Sequence, residues 1–357
     1  MQTQSNTLSF EGKNIYVGFD VHSKDWKVSI MVEKVFHRTF IQQPSAEGLH
    51  KYLCANFPNA KYHSVYEAGF SGFSDHFKLQ KLGVNSIVVN PADVPTTGKE
   101  MIQKTDKRDS MKLVKGLHSG ELKGIYIPQP ETINNRLLLR TRAQFVKDLT
   151  RNKNRIKSQL HFLGIKYPEE FFNNKSHWSS RFMKWLQQLE LDYPNAKVSL
   201  NLLIDQVIYL RATLLSITRQ IRDLSTSERY KENYTLIKSI PGIGLISGMT
   251  ILLEIEDILR FHNSISFFSY IGIIPSTHSS GEKDSTGKIT PRGHPILRNL
   301  LIECAWISVR QDPSLLKKHL DNCKRMPANK SIIHIARNLA SRIRFVLVNK
   351  VEYKKGI

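Results

Sequence analysis

Four carboxylates stand in the first third of the chain where a fold would hold them rigidly. Asp20 closes the apolar run NIYVGF (14–19) and Glu67 closes YHSVYE (62–67), while Asp106 and Asp109 lie three residues apart in KTDKRDSMKLVKGL. Two acids at strand ends and two on one face of a helix can converge on a point. Such a cluster repels itself unless a divalent cation neutralises it. All-oxygen donors favour Mg²⁺, with Mn²⁺ as a substitute. Two such ions about 3.5–4 Å apart clamp the attacking and leaving oxygens of a phosphodiester. Asp25, Asp75 and Asp93 show how common isolated acids are here. The weight therefore rests on the order strand-Asp, strand-Glu, helix DxxD in a basic chain.

A second group lies in the last third, GIIPSTHSSGEKDSTGKITPRGHPILRNLLIECAW (272–306). Ser279 and Ser280 precede Gly281, with Lys283, Lys288, Arg292 and Arg298 close by in sequence. A serine among cations can attack a phosphate, because positive groups stabilise the alkoxide and the developing phosphorane charge. The same Ser-Gly pattern is also ordinary turn chemistry. Upstream, SIPGIG (239–244) precedes the apolar run LISGMTILLEI. Gly242 and Gly244 either let backbone N–H groups approach a phosphate, as in a helix-hairpin-helix element, or simply make a tight interhelical turn. Zinc-ligand spacing, a Walker loop and a dinucleotide fingerprint are all missing.

The elements needed to position these groups are readable. The runs 14–19 and 26–32 predict a β-hairpin, 34–40 a third strand, and 62–67 and 84–91 two more. Helical spacing falls on 46–57, 74–82 and 109–117. Strands first, then strands alternating with helices, predict an α/β domain with a mixed sheet. IPQP (127–130) makes a boundary. Residues 131–163 and 197–224 predict two long amphipathic helices joined by a Trp- and Phe-rich connector (170–186), an antiparallel coiled-coil arm able to pair with another subunit. Between Arg136 and Lys157 the first of these carries eight Lys/Arg against one acid, Asp148. That imbalance points to phosphate contacts by Arg136, Arg140, Arg142, Arg151, Lys153 and Arg155. The C-terminal third predicts a mainly helical domain, with a loop over 275–294 and helices from Pro295 to about Arg310 and over 329–349.

Composition narrows the class. The 357 residues hold 52 Lys/Arg and 31 Asp/Glu, a formal net charge of +21, and 40% are hydrophobic. That apolar content supports packed cores and argues against disorder. The positive charge favours a nucleic-acid partner, because neutralising phosphates releases counterions. The three cysteines, Cys54, Cys304 and Cys323, form no disulfide framework and fit a reducing cytoplasm. No unbroken apolar run and no leader pattern suggest a membrane span or export, so a cytoplasmic protein is expected.

Taken together, YVGFDVHSKDWKVSI, VYEAGFSGF, VNPADVP and KTDKRDSMKLV resemble the N-terminal domain of the DEDD transposases of the insertion-sequence 110 family. SIPGIGLISGMTILLEIED and the segment FFSYIGIIPSTHSSGEKDSTGKITPRGHPILRNLLIECAW are similar to their C-terminal transposase domain, so the likeness runs from about Ile15 to Arg310. The resemblance implies a RuvC-like, ribonuclease-H-type domain over 1–130, a helical coiled-coil arm over 131–230 and a serine-bearing transposase domain over 231–357. Asp20, Glu67, Asp106 and Asp109 would be its Mg²⁺-binding tetrad. Ser280, with Ser279 as its neighbour, would be a nucleophile that bonds covalently to DNA. The implied partners are donor and target DNA, a structured non-coding bridge RNA and further copies of the chain in a homotetramer. Such a site would combine the acids of one subunit with the serine of another. The loop departs from the family pattern in SSGEKDSTGK and TPRGH, at positions that leave the serine and the tetrad in place. Other readings are a protein-only DNA invertase of Piv type, a metal-only Holliday-junction nuclease, and a basic nucleic-acid-binding module without catalysis.

Overall fold

The structure is a computed structural model describing residues 9–95, 106–280, 283–290 and 292–354; for residues 106, 107, 174, 276–280 and 283–288 it describes the backbone alone. The chain divides into two compact units, Met1–Ile127 and Pro128–Ile357.

The first unit is a five-stranded mixed sheet. Its strands are β1 (Asn14–Val21), β2 (Trp26–Val32), β3 (Val35–Gln42), β4 (Lys61–Glu67) and β5 (Asn85–Val89), in the order β3-β2-β1-β4-β5. The first three strands run antiparallel, and β1, β4 and β5 run parallel. Helices α1 (Ala46–Asn56), α2 (Ser74–Lys81) and α3 (Asp106–Ser119) complete the unit. Strand alternation sorts the two faces of the sheet. Ile15, Val17 and Phe19 of β1 share one core with Val28, Ile30, Tyr66 and Val88 and with Leu49, Leu53 and Leu79 of α1 and α2. On the opposite face, Val65 and Val89 pack with Leu113 of α3 and with Leu122. The mixed α/β domain expected from sequence is therefore present. Asp20, expected at the end of the first strand, is the penultimate residue of β1.

The second unit is mainly helical. A long helix α4 (Pro130–Phe162) leads through two short 3₁₀ turns to α5 (Ser180–Gln188), and then to a second long helix α6 (Pro194–Thr226). Gln159 reaches the carbonyl of Ala196 at 3.2 Å and Arg142 reaches Thr218 at 3.1 Å, so α4 and α6 run antiparallel. Their far end has its own core, in which Phe171, Phe182 and Leu186 of the connector fill the space between Ile156, Leu160, Leu200 and Ile204. The aromatic connector is thus a small packing module. Helix α6 is, by length and composition alone, apolar enough to cross a membrane. Asn201, Asp205 and Arg211 interrupt its apolar residues, so no unbroken run marks it in the sequence.

A larger core gathers α7 (Glu228–Lys238), α8 (Leu245–Ile255), α9 (Ser264–Ile271), α10 (Pro295–Gln311), α11 (Pro313–Cys323) and α12 (Ala328–Asn349), together with Leu139, Ile217 and Ile221 of the long helices. Between α9 and α10 the segment expected to be a loop is instead a two-stranded hairpin, β6 (Pro275–Ser280) with β7 (Lys283–Ile289). The glycines and serines suggest a turn, but the segment is also rich in β-branched threonines, which favour strands, and Thr277 and Thr286 are backbone register partners.

Candidate active site

The acidic group is built on the α3-covered face of the sheet. Gly18 of β1 pairs with Val65 of β4 as the last register partners of that ladder, and Asp20 and Glu67 each lie two residues farther along their strands. Phe19 and Tyr66, one residue back on each strand, stack on the opposite face with ring centroids 5.1 Å apart. Alternation then turns Asp20 and Glu67 to the same side as Gly18 and Val65. Glu67 pairs with Val89 of β5, whose side chain belongs to the core under α3.

Helix α3 closes on this face through small residues. A Cβ at Gly18 would meet the backbone N of Val114 and lie 2.6 Å from the carbonyl oxygen of Ser110. Ser29, the register partner of Gly18 on β2, is fully buried and exchanges a 2.9 Å hydrogen bond with the buried hydroxyl of Ser110. It also lies 2.7 Å from the Thr39 hydroxyl on β3. Gly18, Ser29 and Ser110 therefore seat the first turns of α3 against β1 and β2. Asp109 immediately precedes Ser110, and Asp106 is the first residue of the helix.

The immediate surroundings are mixed in charge. His22 Nε2 lies 3.1 Å from Asp20 Oδ2, whose side chain is 25% exposed, and Lys112 Nζ lies 4.0 Å from Asp109 Oδ1. Residue type alone marks neither His22 nor Lys112. The spacing DVH offered a hint for His22, and i,i+3 spacing one for Lys112. Three of the four acids thus share one sheet face or the helix packed on it, and the side chain of Asp106 lies outside the described residues. Among the described residues, no three His, Cys, Asp or Glu side chains are gathered into a ready-made metal cage. The chemistry of the donors, hard carboxylates on rigid strand ends, fits a hydrated divalent ion that keeps several of its waters.

The serine group sits on the β6–β7 hairpin of the second unit. Ser280 ends β6 and pairs with Lys283 at the start of β7, and Ser279 pairs with Asp284. Gly281 lies outside the described residues, and so do the side chains of Ser279, Ser280, Lys283 and Lys288. The base of the hairpin is tightly held. Thr290 N–H donates to Ile274 O at 3.2 Å, and Arg337 of α12 donates to Ile273 O at 2.6 Å. Gly272 adopts φ +81°, and a Cβ there would collide with the Arg298 guanidinium. Arg298 in turn donates to Arg292 O at 2.9 Å. Arg292 and Arg298 are therefore part of the hairpin's footing.

The PGIG turn joins α7 to α8, and its two glycines play different parts. Gly242 has φ +90°, a Cβ there would strike the Ser308 hydroxyl, and its N–H donates to Gln311 at 3.0 Å. It is required by packing. Gly244 caps α8 and has open space where its Cβ would be.

Along α4 the basic residues divide. Arg136, 12% exposed, donates to the carbonyls of Leu253 and Glu254 and lies 3.4 Å from the Glu254 carboxylate. Arg140, 48% exposed, holds both oxygens of that carboxylate. These two arginines turn toward the helical bundle, so the solvent-facing phosphate contact expected of Arg136 does not fit its position. Arg142 bonds Thr218. Farther along, Arg151 pairs with Asp148 at 3.1 Å, Arg155 contacts Asn152, and Lys153 lies 5.2 Å from the Trp178 ring centroid.

Comparison with known proteins matches both regions. A DEDD transposase model of the IS110 group covers residues 17–165, and a model described as transposase IS116/IS110/IS902 family covers residues 234–320. Among similar proteins, a putative transposase y4qE of Sinorhizobium fredii is 28% identical over 283 residues, which span 79% of this chain and 65% of that protein. The transposase for insertion sequence element IS1533 of Leptospira borgpetersenii is 26% identical over 304 residues, 82% of this chain and 85% of its own length. The transposase for element IS1111A of Coxiella burnetii is 25% identical over 286 residues, 77% and 74%. With the acidic sheet inside one matched segment and the serine hairpin inside the other, in the family's order, the chain belongs to the IS116/IS110/IS902 transposase family.

Proposed function

We propose that this chain is a bridge-RNA-guided DNA recombinase that moves its insertion sequence by cutting and rejoining donor and target DNA. The observation that carries the reading is that Asp20 and Glu67 each lie two residues beyond Gly18 and Val65, the last register partners of neighbouring parallel strands, on the sheet face packed by a helix that begins at Asp106 and holds Asp109 in its first turn. The strand order, three antiparallel strands followed by two parallel ones, supports a RuvC-like, ribonuclease-H-type domain. Asp20, Glu67, Asp106 and Asp109 would hold Mg²⁺ or Mn²⁺. Bound there, the ion would supply Lewis-acid polarisation of the scissile phosphate.

Ser280 is the proposed nucleophile. Its oxygen forms one P–O bond as a bond to a deoxyribose oxygen breaks. The serine proton leaves, and the departing oxygen takes one up. Because the number of phosphoester bonds is conserved, the covalent link can be handed to a second strand without an external energy source. The cations Lys283 and Lys288 on β7 and Arg292 beyond it would neutralise the phosphate near the hairpin.

Three domains, 1–130, 131–230 and 231–357, would divide the labour. The outer part of α4, with Arg151, Lys153 and Arg155, would contact nucleic-acid phosphates, as would Arg142 and the Gly244 turn. Exposed Val198, Leu202, Ile208, Tyr209 and Leu215 on α6 would form a coiled-coil seam between subunits of a homotetramer.

Strand exchange with Mg²⁺ on a duplex carrying the element's ends tests the acids. Asp20→Asn, Glu67→Gln and Asp109→Asn each lose at least a hundredfold in rate with unchanged thermal melts; full activity in any one removes that residue from the site. RNA recovered from the protein, expressed with its native flanking DNA, tests the guide. A single discrete flank-encoded RNA is expected, and heterogeneous host RNA alone would favour a protein-only recombinase.

A further inference from the structure

Glu254 stands in the apolar sequence ILLEI of α8 with only 4% of its side chain exposed. A carboxylate buried there is tolerable only when paired and fully hydrogen-bonded. Its partners come from separate elements. From α4, Arg140 donates through Nε and Nη2 at 3.2 and 3.0 Å, and Arg136 lies 3.4 Å away. From the start of α10, His294 Nε2 lies 3.2 Å from Glu254 Oε2. From α9, the Tyr270 hydroxyl donates to the Glu254 carbonyl at 3.0 Å. Burial pushes the Glu254 carboxyl up, but the His294 hydrogen bond and the charges of Arg140 and Arg136 outweigh it and hold it below the ordinary range.

His294 is the pivot between this carboxylate and the serine hairpin. It caps α10, and its Nδ1 accepts the Leu297 N–H at 3.3 Å. That contact leaves the ring proton on Nε2, facing Glu254. The His294 N–H donates to Tyr270 O at 2.9 Å, which fixes the chain just after the outgoing arm of the hairpin. One residue earlier, Gly293 approaches Gly272, where the incoming arm begins; a Cβ at Gly293 would lie 2.5 Å from Gly272 Cα. Both ends of the hairpin are thus referenced to one buried carboxylate, which is itself locked to α4 by two arginines.

We propose that Glu254 and His294 are positioning residues, which fix the base of the β6–β7 hairpin against α4 and α8 and so set the bearing of the strand that ends in Ser280. The proposal rests on the reading of Ser280 as nucleophile. Neither residue touches DNA in this scheme; they act through the hairpin. A hairpin released at its base would still bind DNA through its cations, but would present the serine in many orientations, and misplacement of a reacting atom by about 1 Å can cost on the order of a hundredfold in rate.

The test is covalent adduct formation by the full chain with Mg²⁺ and a duplex carrying the element's end. His294→Asn keeps a helix-capping acceptor but is too short to reach Glu254. The expected result is an adduct rate at least tenfold lower, with DNA affinity within twofold and the melting temperature little changed. His294→Gln, whose longer amide can still donate to Glu254, recovers part of that rate. Glu254→Gln, which keeps the volume and removes the charge, loses it again. An adduct rate equal to wild type in His294→Asn overturns the proposal, as does a fall in DNA affinity that accounts for the whole loss. If His294→Asn no longer melts cooperatively, His294→Gln and Glu254→Gln decide, each assayed at a temperature where it is fully folded and compared by adduct rate at matched DNA occupancy. Ser280→Ala run alongside separates the two ideas, because strand cleavage that survives in it removes the serine reading whatever His294 does.

Discussion

At the scale of the residue, Gly18 bears the heaviest constraint in the first unit. Its missing Cβ is what lets the backbone of α3 lie against β1, with Ser110 O 2.6 Å from where that atom would sit. Gly18→Ala must push the helix away or distort the strand, and overpacking of this kind costs about 1–3 kcal/mol. Thermal melts should show the loss, and an unchanged melting temperature would mean that α3 is not seated as described. Glu254 sets a second residue-scale expectation. Its carboxyl pKa is lowered from the ordinary 4.5, with Arg136 and Arg140 of α4 and His294 of the α10 cap facing it. The stabilisation is therefore present above the unfolded-state value and is lost as pH falls through the lower folded value. Glu254→Gln should be less stable than wild type at pH 7 by about 3 kcal/mol, because Arg136 and Arg140 lose their partner. The gap should narrow below pH 4.5, and a gap independent of pH from 7 to 3 would contradict the pairing. Some of this was legible in the sequence: a glycine inside an apolar strand signals close backbone approach. What approached it was not, since Ser29 and Ser110 meet across 81 residues and no local pattern announces such a pair. Glu254 read as one polar break in an apolar helix, because its partners lie 114 and more residues upstream and 40 downstream.

At the scale of the element, hydrophobic periodicity located the strands and long helices to within a few residues, since burial on one face imposes it. It misread the hairpin, whose Ser, Thr and Gly residues have no apolar face and whose pairing depends on α9, α10 and α12 gripping its base. It also overstated the basic face of α4. Charge counts cannot tell an arginine that faces solvent from one that reaches back to a buried carboxylate, and Arg136 does the latter. The phosphate-contacting role is accordingly expected from the outer half of the helix. Arg151→Gln, Lys153→Gln and Arg155→Gln combined should weaken duplex binding and lower the slope of log K against log salt by about 2–3, roughly 0.9 per lost phosphate contact. An unchanged slope measured by fluorescence anisotropy would show that these cations meet no phosphate.

At the scale of the whole molecule, the two units carry different chemistry, carboxylates in one and the serine hairpin in the other, and each folds around its own core. The exposed apolar residues of α6 are what the proposed assembly would bury. Leu202→Glu with Tyr209→Glu should shift the protein from tetramer to smaller species in light scattering, leaving the helical circular-dichroism signal unchanged; a tetramer that persists would move the interface elsewhere. If Mg²⁺-supported strand transfer runs through Ser280, the protein must pass through a covalent protein–DNA adduct. The most direct measurement is mass spectrometry of the protein after incubation with Mg²⁺ and a duplex carrying the element's end. A DNA-derived phosphodiester is expected on the peptide containing Ser280, absent in Ser280→Ala and in Asp20→Asn. Cleaved DNA with no adduct on that peptide, and equal cleavage by Ser280→Ala, would contradict the route through Ser280.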